Sequence, residues 1–333
     1  MSAPAPAPAP ELYCYEAFSE EADRLRHYAE AAGVRIGLTP LTLQEVGHAA
    51  PPAPVISIRT QSILPPAWAP SLTGILSRST GHDHLLAYRA ALPNNTPCPA
   101  LGYLPRYCVR AVAEQALLLT LSLLRRLPRQ LAQFDRFQRD NLTGLELSGK
   151  TAAIFGVGNI GHEIHTIFGA LGTTTIGVDP VHRHPDVTYA SPADALARAD
   201  IILCAMNLTP ANRGYFTPDL LGATTRRPIL VNIARGEFTP ALALETALDS
   251  GHLSGAALDV YNEESTLAPS LRSGDPAPLT DDNRALLRLR SRPDVILTPH
   301  NAFNTREAVE RKSSQSLETY LRFRQSGTFL WPV

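Results

Sequence analysis

The sequence predicts an α/β protein with two doubly wound parallel sheets, one domain being inserted into a smaller, discontinuous one. Three observations predict it. Short apolar runs rich in β-formers alternate with helix-length segments along almost the whole chain. One such run, Thr151–Phe155, opens directly into Gly156-Val157-Gly158-Asn159-Ile160-Gly161 and then a helix. The length of 333 residues is enough for two cores.

The glycine turn organises the chain. Gly156 permits a tight turn, Gly158 lets backbone amides approach a pyrophosphate, and Gly161 lets the helix pack on its strand. The positive end of that helix then points at the phosphates, beginning with Asn159 and Ile160. A second strand, Thr174–Val178, ends at Asp179, eighteen residues after Gly161. A carboxylate at that distance meets the ribose hydroxyls of a dinucleotide. Glycine-rich turns are common; strand, helix and acid together make this one a Rossmann-like dinucleotide site. Asp179 favours NAD over NADP by repelling a 2′-phosphate, although Arg183 in the next loop is placed to reach one.

In chain order, residues 1–10 are a Pro-Ala tail with no basic or apolar signal segment and are expected to be poorly ordered. Strands are expected at Leu12–Tyr15, Val34–Leu38, Val55–Ile58 and Gly74–Ser77, with a helix over Glu20–Ala32. After Gly74–Ser77 comes a glycine turn whose Thr80 and Gly81 amides are suited to an anion. Ala111–Gln130 reads as a helix apolar on nearly every face, hence buried all round, with a homodimer seam as the preferred cover. Strands follow at Ile201–Ala205, Ile229–Asn232, Gly255–Val260 and Val295–Thr298, and a last helix, Thr305–Gln325, returns to the first domain. The expected domains are therefore 11–109 with 302–333, and 110–301 for the Rossmann domain.

A formal net charge of -1 gives no footprint for nucleic acid or an anionic membrane. The apolar run 111–124 is too short to span a bilayer and contains Glu114 and Gln115. Four cysteines without a CxxC pair read as reduced thiols, and the chain as cytoplasmic. His82, Asp83 and His84, and likewise His182 and His184, lack an evident third ligand, so no metal is expected.

Three polar residues follow strand ends on the side where a dinucleotide would lie: Arg235 after Ile229–Asn232, Glu264 in the loop after Asp259, and His300 after Pro299. Singly, each is an ordinary surface or loop residue. Together they suit carbonyl reduction. The arginine would grip a carboxylate and polarise the adjacent carbonyl. The histidine would give the oxygen a proton, and the glutamate would hold the imidazole and favour its charged form.

With these motifs the chain resembles the NAD-dependent D-2-hydroxyacid dehydrogenase family, in its D-lactate dehydrogenase-like branch. The likeness lies in GVGNIG at 156–161, Asp179, LTPANRG at 208–214, NIARGE at 232–237, ALDVYNEE at 257–264 and TPHNAF at 298–303. It implies Arg235, Glu264 and His300 as the catalytic set, with Thr209, Ala234 and Asp259 joining the cofactor site. It also implies substrate contacts from Thr80 and Gly81 in RSTGHD, and from Tyr107, with Tyr103 as alternative. Arg110, Phe303 and His84 depart from the family's usual residues near the expected pocket, which leaves the acid's identity open. The expected activity is reversible hydride transfer between NADH and a 2-oxoacid. Phosphite or, less readily, formate oxidation on the same fold is one alternative, formate being disfavoured by the carboxylate of Glu264. An NADH-sensing, corepressor-like interaction protein is the other.

Overall fold

The computed structural model describes residues 8–274 and 279–333. The first seven residues of the expected tail lie outside them. The chain divides into two compact units, one running to Cys108 and resuming at Thr305–Val333, the other Val109–Asn304.

The first unit has five parallel strands: β1 (Leu12–Cys14), β2 (Ile36–Leu38), β3 (Val55–Ile58), β4 (Gly74–Ser77) and β5 (Ala100–Gly102), in the order β2-β1-β3-β4-β5. Ile56, Ile58, Ile75 and Leu101 build its core with Trp68, Leu85 and Tyr88. β5 escapes sequence reading because three residues, one of them glycine, carry no periodicity. Gly102 is nonetheless required, because a β-carbon there would lie 2.6 Å from the Phe329 ring. The C-terminal helix Arg306–Ser326 packs on helix Ser19–Ala31 and on β4.

The second unit has six parallel strands: β6 (Thr151–Phe155), β7 (Thr174–Val178), β8 (Ile201–Cys204), β9 (Ile229–Asn232), β10 (Gly255–Leu258) and β11 (Val295–Leu297), in the order β11-β10-β9-β8-β6-β7. An isolated parallel bridge, Gly177 to Tyr189, extends the sheet beyond β7. Strand order reverses between β6 and β8, the crevice where ligands of open α/β sheets bind. Buried on both faces, the strands read as apolar runs, and Phe155, Ile202, Leu230 and Leu258 share one core.

The expected helix 111–130 is corrected in two ways. It is two helices, Val109–Leu124 and Leu127–Gln133, broken where Arg126 takes φ 53°. Pro128 accounts for the break: it has no N–H to give the Leu124 carbonyl and its ring would clash with that carbonyl in a continuous helix, and Leu124 O accepts from the Leu145 N–H instead. Nor is it buried all round, since Arg110, Glu114, Leu118 and Leu121 form an exposed stripe at helical spacing. Among the described residues no helix is long and apolar enough to cross a membrane.

Candidate active site

Asn232 ends β9 fully buried and winds the next turn about itself. Its amide donates to the Arg235 carbonyl and to Thr239 Oγ1, both at 2.8 Å, and its Oδ1 accepts from the Ala234 N–H at 3.0 Å. Arg235 therefore leaves the sheet edge on a rigid turn, half-buried, with Nη1 donating to the Ala234 carbonyl. The next residue must be glycine: a β-carbon on Gly236 would lie 1.8 Å from the Tyr261 carbonyl carbon and 2.2 Å from the Asn262 nitrogen. That close approach presses the loop carrying Arg235 against the loop leading to Glu264.

Asp259, just past β10, is also fully buried. Its Oδ1 accepts from Thr298 Oγ1 at 2.5 Å and the Asn301 N–H at 2.9 Å, while its Oδ2 accepts from the Ala302 N–H at 2.8 Å. Burial pushes this carboxyl above the usual range, against the pull of His300 and these donors. Tyr261 ties the same loop from the other side by donating its hydroxyl to the Thr298 carbonyl. Held between them, His300 adopts φ 51°, a strained backbone for a non-glycine residue. Its Nδ1 lies 2.8 Å from each oxygen of Glu264, and the two side chains are 19% and 15% exposed. Glu264 does not sit in a loop as expected. It opens helix Glu264–Ser273 after Glu263 takes φ 54° to turn the chain inward.

The glycine turn follows β6. Gly156 has φ +90°, and a β-carbon there would strike the Met206 backbone at 2.6 Å. A β-carbon on Gly161 would lie 2.0 Å from the Gly156 carbonyl oxygen, so glycine alone lets helix Asn159–Ala170 pack this closely. Around Gly158, by contrast, nothing lies within 4 Å of that position, which leaves room for a diphosphate. Asp179 accepts from the Val157 N–H with Oδ2 and from the Val181 N–H with Oδ1, both at 2.8 Å. Thr209 caps a short turn after β8, where its N–H donates to Asn212 Oδ1.

In the first unit, Thr80 and Gly81 lie between β4 and the N-terminus of helix Asp83–Ala91, which provides an amide-rich setting for an anion. Arg78 anchors this loop. Fully buried, it donates to Glu21 Oε1 (2.8 Å), Ser57 Oγ (2.9 Å) and the Tyr15 carbonyl (2.6 Å). Thr80 Oγ1 donates to the Leu104 carbonyl, and His84 meets Ser77 Oγ at 2.9 Å. Tyr107 is buried, and its carbonyl accepts from Arg311. Tyr103 packs its ring on His82.

A family model for the NAD-binding domain of D-isomer specific 2-hydroxyacid dehydrogenases matches residues 117–302. The chain belongs to this family. It is 31% identical over 264 residues to 2-hydroxyacid dehydrogenase A of Aspergillus oryzae, covering 77% of this chain and 73% of that protein. It is 31% identical over 236 residues to D-lactate dehydrogenase of Lactiplantibacillus plantarum, covering 68% and 69%. Among solved structures, D-lactate dehydrogenase from Aquifex aeolicus complexed with NAD and lactic acid superposes with TM-score 0.81 at 24% identity, over 96% of this chain and 98% of that one. A D-lactate dehydrogenase from a Sporolactobacillus species gives 0.75 at 27%, over 97% and 98%. The family likeness read from the motifs is thus borne out, and the chain is an NAD-dependent oxidoreductase acting on 2-hydroxyacids.

Within this dehydrogenase the glycine cradle, the open space at Gly158 and the anchored Asp179 fit NAD. Arg235, Glu264 and His300 belong to the same unit, Arg235 and His300 just past the ends of β9 and β11 and Glu264 at the start of the helix that follows β10. Arg110 is exposed, with its guanidinium paired to Glu114 (2.6 Å) and Glu163 (3.0 Å), which places it in a surface ion network. Phe303 is buried beside the His300 loop. Sequence reasoning overlooked Arg78, Asn232 and Gly236. Each lay inside a motif, Arg78 opening RSTGHD and Asn232 and Gly236 belonging to NIARGE, but the motifs alone did not show what these residues hold in place.

Proposed function

We propose that this dehydrogenase reduces a 2-oxoacid to the D-2-hydroxyacid, reversibly, with His300 as acid and base. The observation that carries this reading is the pair at the sheet edge: with both Glu264 oxygens at Nδ1, the proton chemistry falls to His300 Nε2. NADH, when bound, supplies the hydride. Gly156, Gly158, Asn159, Ile160 and Gly161 hold its diphosphate, and Asp179 holds the ribose in preference to a 2′-phosphate. Thr209, Ala234 and Asp259 complete the cofactor site. Arg235 binds the substrate and polarises its carbonyl, while Thr80 and Gly81 amides receive a carboxylate; Tyr107 and Phe303 shape the acid that fits. Arg110, held by two carboxylates, is not assigned a substrate contact.

We further propose a cytoplasmic homodimer that binds neither nucleic acid nor membrane. Three of the four free cysteines are buried, in keeping with reduced thiols. Leu131, Phe134 and Phe137 are 69%, 72% and 75% exposed, and Leu118 and Leu121 on the preceding helix are exposed too, apolar surface of the kind a second copy covers. Sedimentation is expected to show a dimer that Phe134→Glu dissociates.

The experiment for the activity follows NADH oxidation against 2-oxoacids from glyoxylate and pyruvate to branched, aromatic and dicarboxylic acids, with NADPH controls and with NAD⁺ reduction by formate and phosphite. One acid should turn over strongly, and His300→Ala should lower kcat by about 10²–10⁴-fold while NADH still binds. Near-normal reduction by His300→Ala would overturn the acid/base assignment. Silence on every 2-oxoacid with NADH bound would favour the sensor.

A further inference from the structure

His184 lies close to further ligand-type side chains, Asp186 of its own loop and His162 of a neighbouring helix. The β6–helix–β7 unit sets the first turns of helix Asn159–Ala170 beside the loop that follows β7. His162 and His165, three residues apart, share a face of that helix. His184 and Asp186, two apart, project side by side from the loop. Ligand atoms of His162, His184 and Asp186 all lie within 4.8 Å of one another. His162 Nε2 is 2.8 Å and His165 Nε2 is 3.6 Å from the same Asp186 oxygen, Oδ2. The His162 and His184 rings are stacked at 3.9 Å.

The surroundings hold these groups in place. His165 Nδ1 meets Thr175 Oγ1 on β7 at 2.6 Å, which aims its other nitrogen at Asp186. Such an outer partner fixes ring orientation in metal sites. The loop is pinned by the bridge at Tyr189, by His182 stacked on that ring at 4.1 Å, and by the His184 N–H donating to its hydroxyl.

We propose that His162, His184 and Asp186, with His165 as fourth ligand, bind one divalent transition-metal ion, Zn²⁺ in the first place. Three imidazoles and one carboxylate suit Zn²⁺, Co²⁺, Ni²⁺ or Cu²⁺ rather than Ca²⁺ or Mg²⁺. Bonds of about 2.0–2.2 Å set ligand atoms within ~4 Å of each other. Binding therefore requires the three groups to draw in from 4.8 Å, the stacked His162 and His184 rings to turn toward a common point, and His165 to swing in beside Asp186. Four protein ligands leave no open position, so the ion clamps the loop to the helix and takes no part in hydride transfer. The site therefore stands independently of the proposed reaction.

The test uses the full-length protein, stripped with chelator and carrying Cys98→Ser to remove the exposed thiol. Zn²⁺ is titrated by calorimetry and Co²⁺ by visible absorption at constant pH. One equivalent per chain is expected, with a tetrahedral Co²⁺ spectrum. His184→Ala and Asp186→Asn should each weaken binding at least tenfold, and Thr175→Val, which keeps every ligand, by about tenfold. His27→Ala, an exposed histidine of the first unit, should leave it unchanged. Absence of saturable binding, or equal binding in His184→Ala and Asp186→Asn, would show that the cluster binds protons only and would overturn the site. These surface variants are checked for folding by circular dichroism.

Discussion

Each unit pairs a glutamate with a base, and the two pairs are built for opposite ends. Glu21 is fully buried and meets two cations, Arg78 at 2.8 Å and Lys312 at 2.9 Å, both fully buried as well. Lys312 also lies over the Phe18 ring at 4.8 Å. Glu264 keeps some solvent contact, meets one imidazole, and spends both oxygens on one nitrogen of it. The first arrangement joins helix Ser19–Ala31, the loop after β4 and the C-terminal helix. The second leaves one ring nitrogen outside the pair, on a backbone held at φ 51°. A buried ion pair is costly to assemble and more costly to break; a partly exposed pair is cheap to keep and free to trade protons. Charge alone does not separate structure from chemistry here. Access and the number of partners do.

Breaking the first pair should have the larger effect on folding. Glu21→Gln leaves the buried Arg78 guanidinium, and Lys312 where it is protonated, facing a neutral amide, so urea unfolding at about pH 6 should show a loss of about 3–5 kcal/mol. A loss below ~1 kcal/mol would mean that Glu21 is not the junction described. The second pair should respond the other way. Glu264→Gln is expected to lower kcat about a hundredfold by releasing the orientation of His300, while stability stays within ~1 kcal/mol because the side chain retains solvent contact. A stability loss matching that of Glu21→Gln would erase the distinction.

The second pair was legible in the sequence and the first was not. Arg235, Glu264 and His300 announce themselves because each follows a strand end behind a glycine turn, and strand ends are readable from apolar runs. Glu21 looks like an ordinary first-turn acid of an amphipathic helix, and Lys312 lies 291 positions away in another helix. Nothing local says that they meet. The same gap hid the partners of His184, since a βαβ crossover and not sequence proximity supplies them. The helix at 111–130 failed for another reason: Leu118 and Leu121 are apolar yet exposed, and a single sequence does not say which apolar face another surface covers. The strands, the glycine cradle and Asp179 were readable because their periodicity and spacing are local.

A subtler effect lies in the pH dependence of the buried pair. Burial pushes the Lys312 ammonium from 10.5 down to about 7, with Glu21 pulling the other way. Between those values the unfolded chain holds a proton that the folded chain has shed. Unfolding stability contributed by this group therefore rises with pH through that window and is flat below it. The ceiling on the slope is about 1.4 kcal/mol per pH unit for one full proton. Lys312→Met removes the proton difference and leaves Glu21 paired with Arg78. The wild-type stability minus that of Lys312→Met should therefore climb from pH 7 to pH ~9 in urea titrations. Buried tyrosines and cysteines common to both proteins cancel in that difference. Parallel stability curves would show that the lysine keeps its proton on folding, making the Glu21 junction fully ionic and its contrast with the His300 pair sharper still.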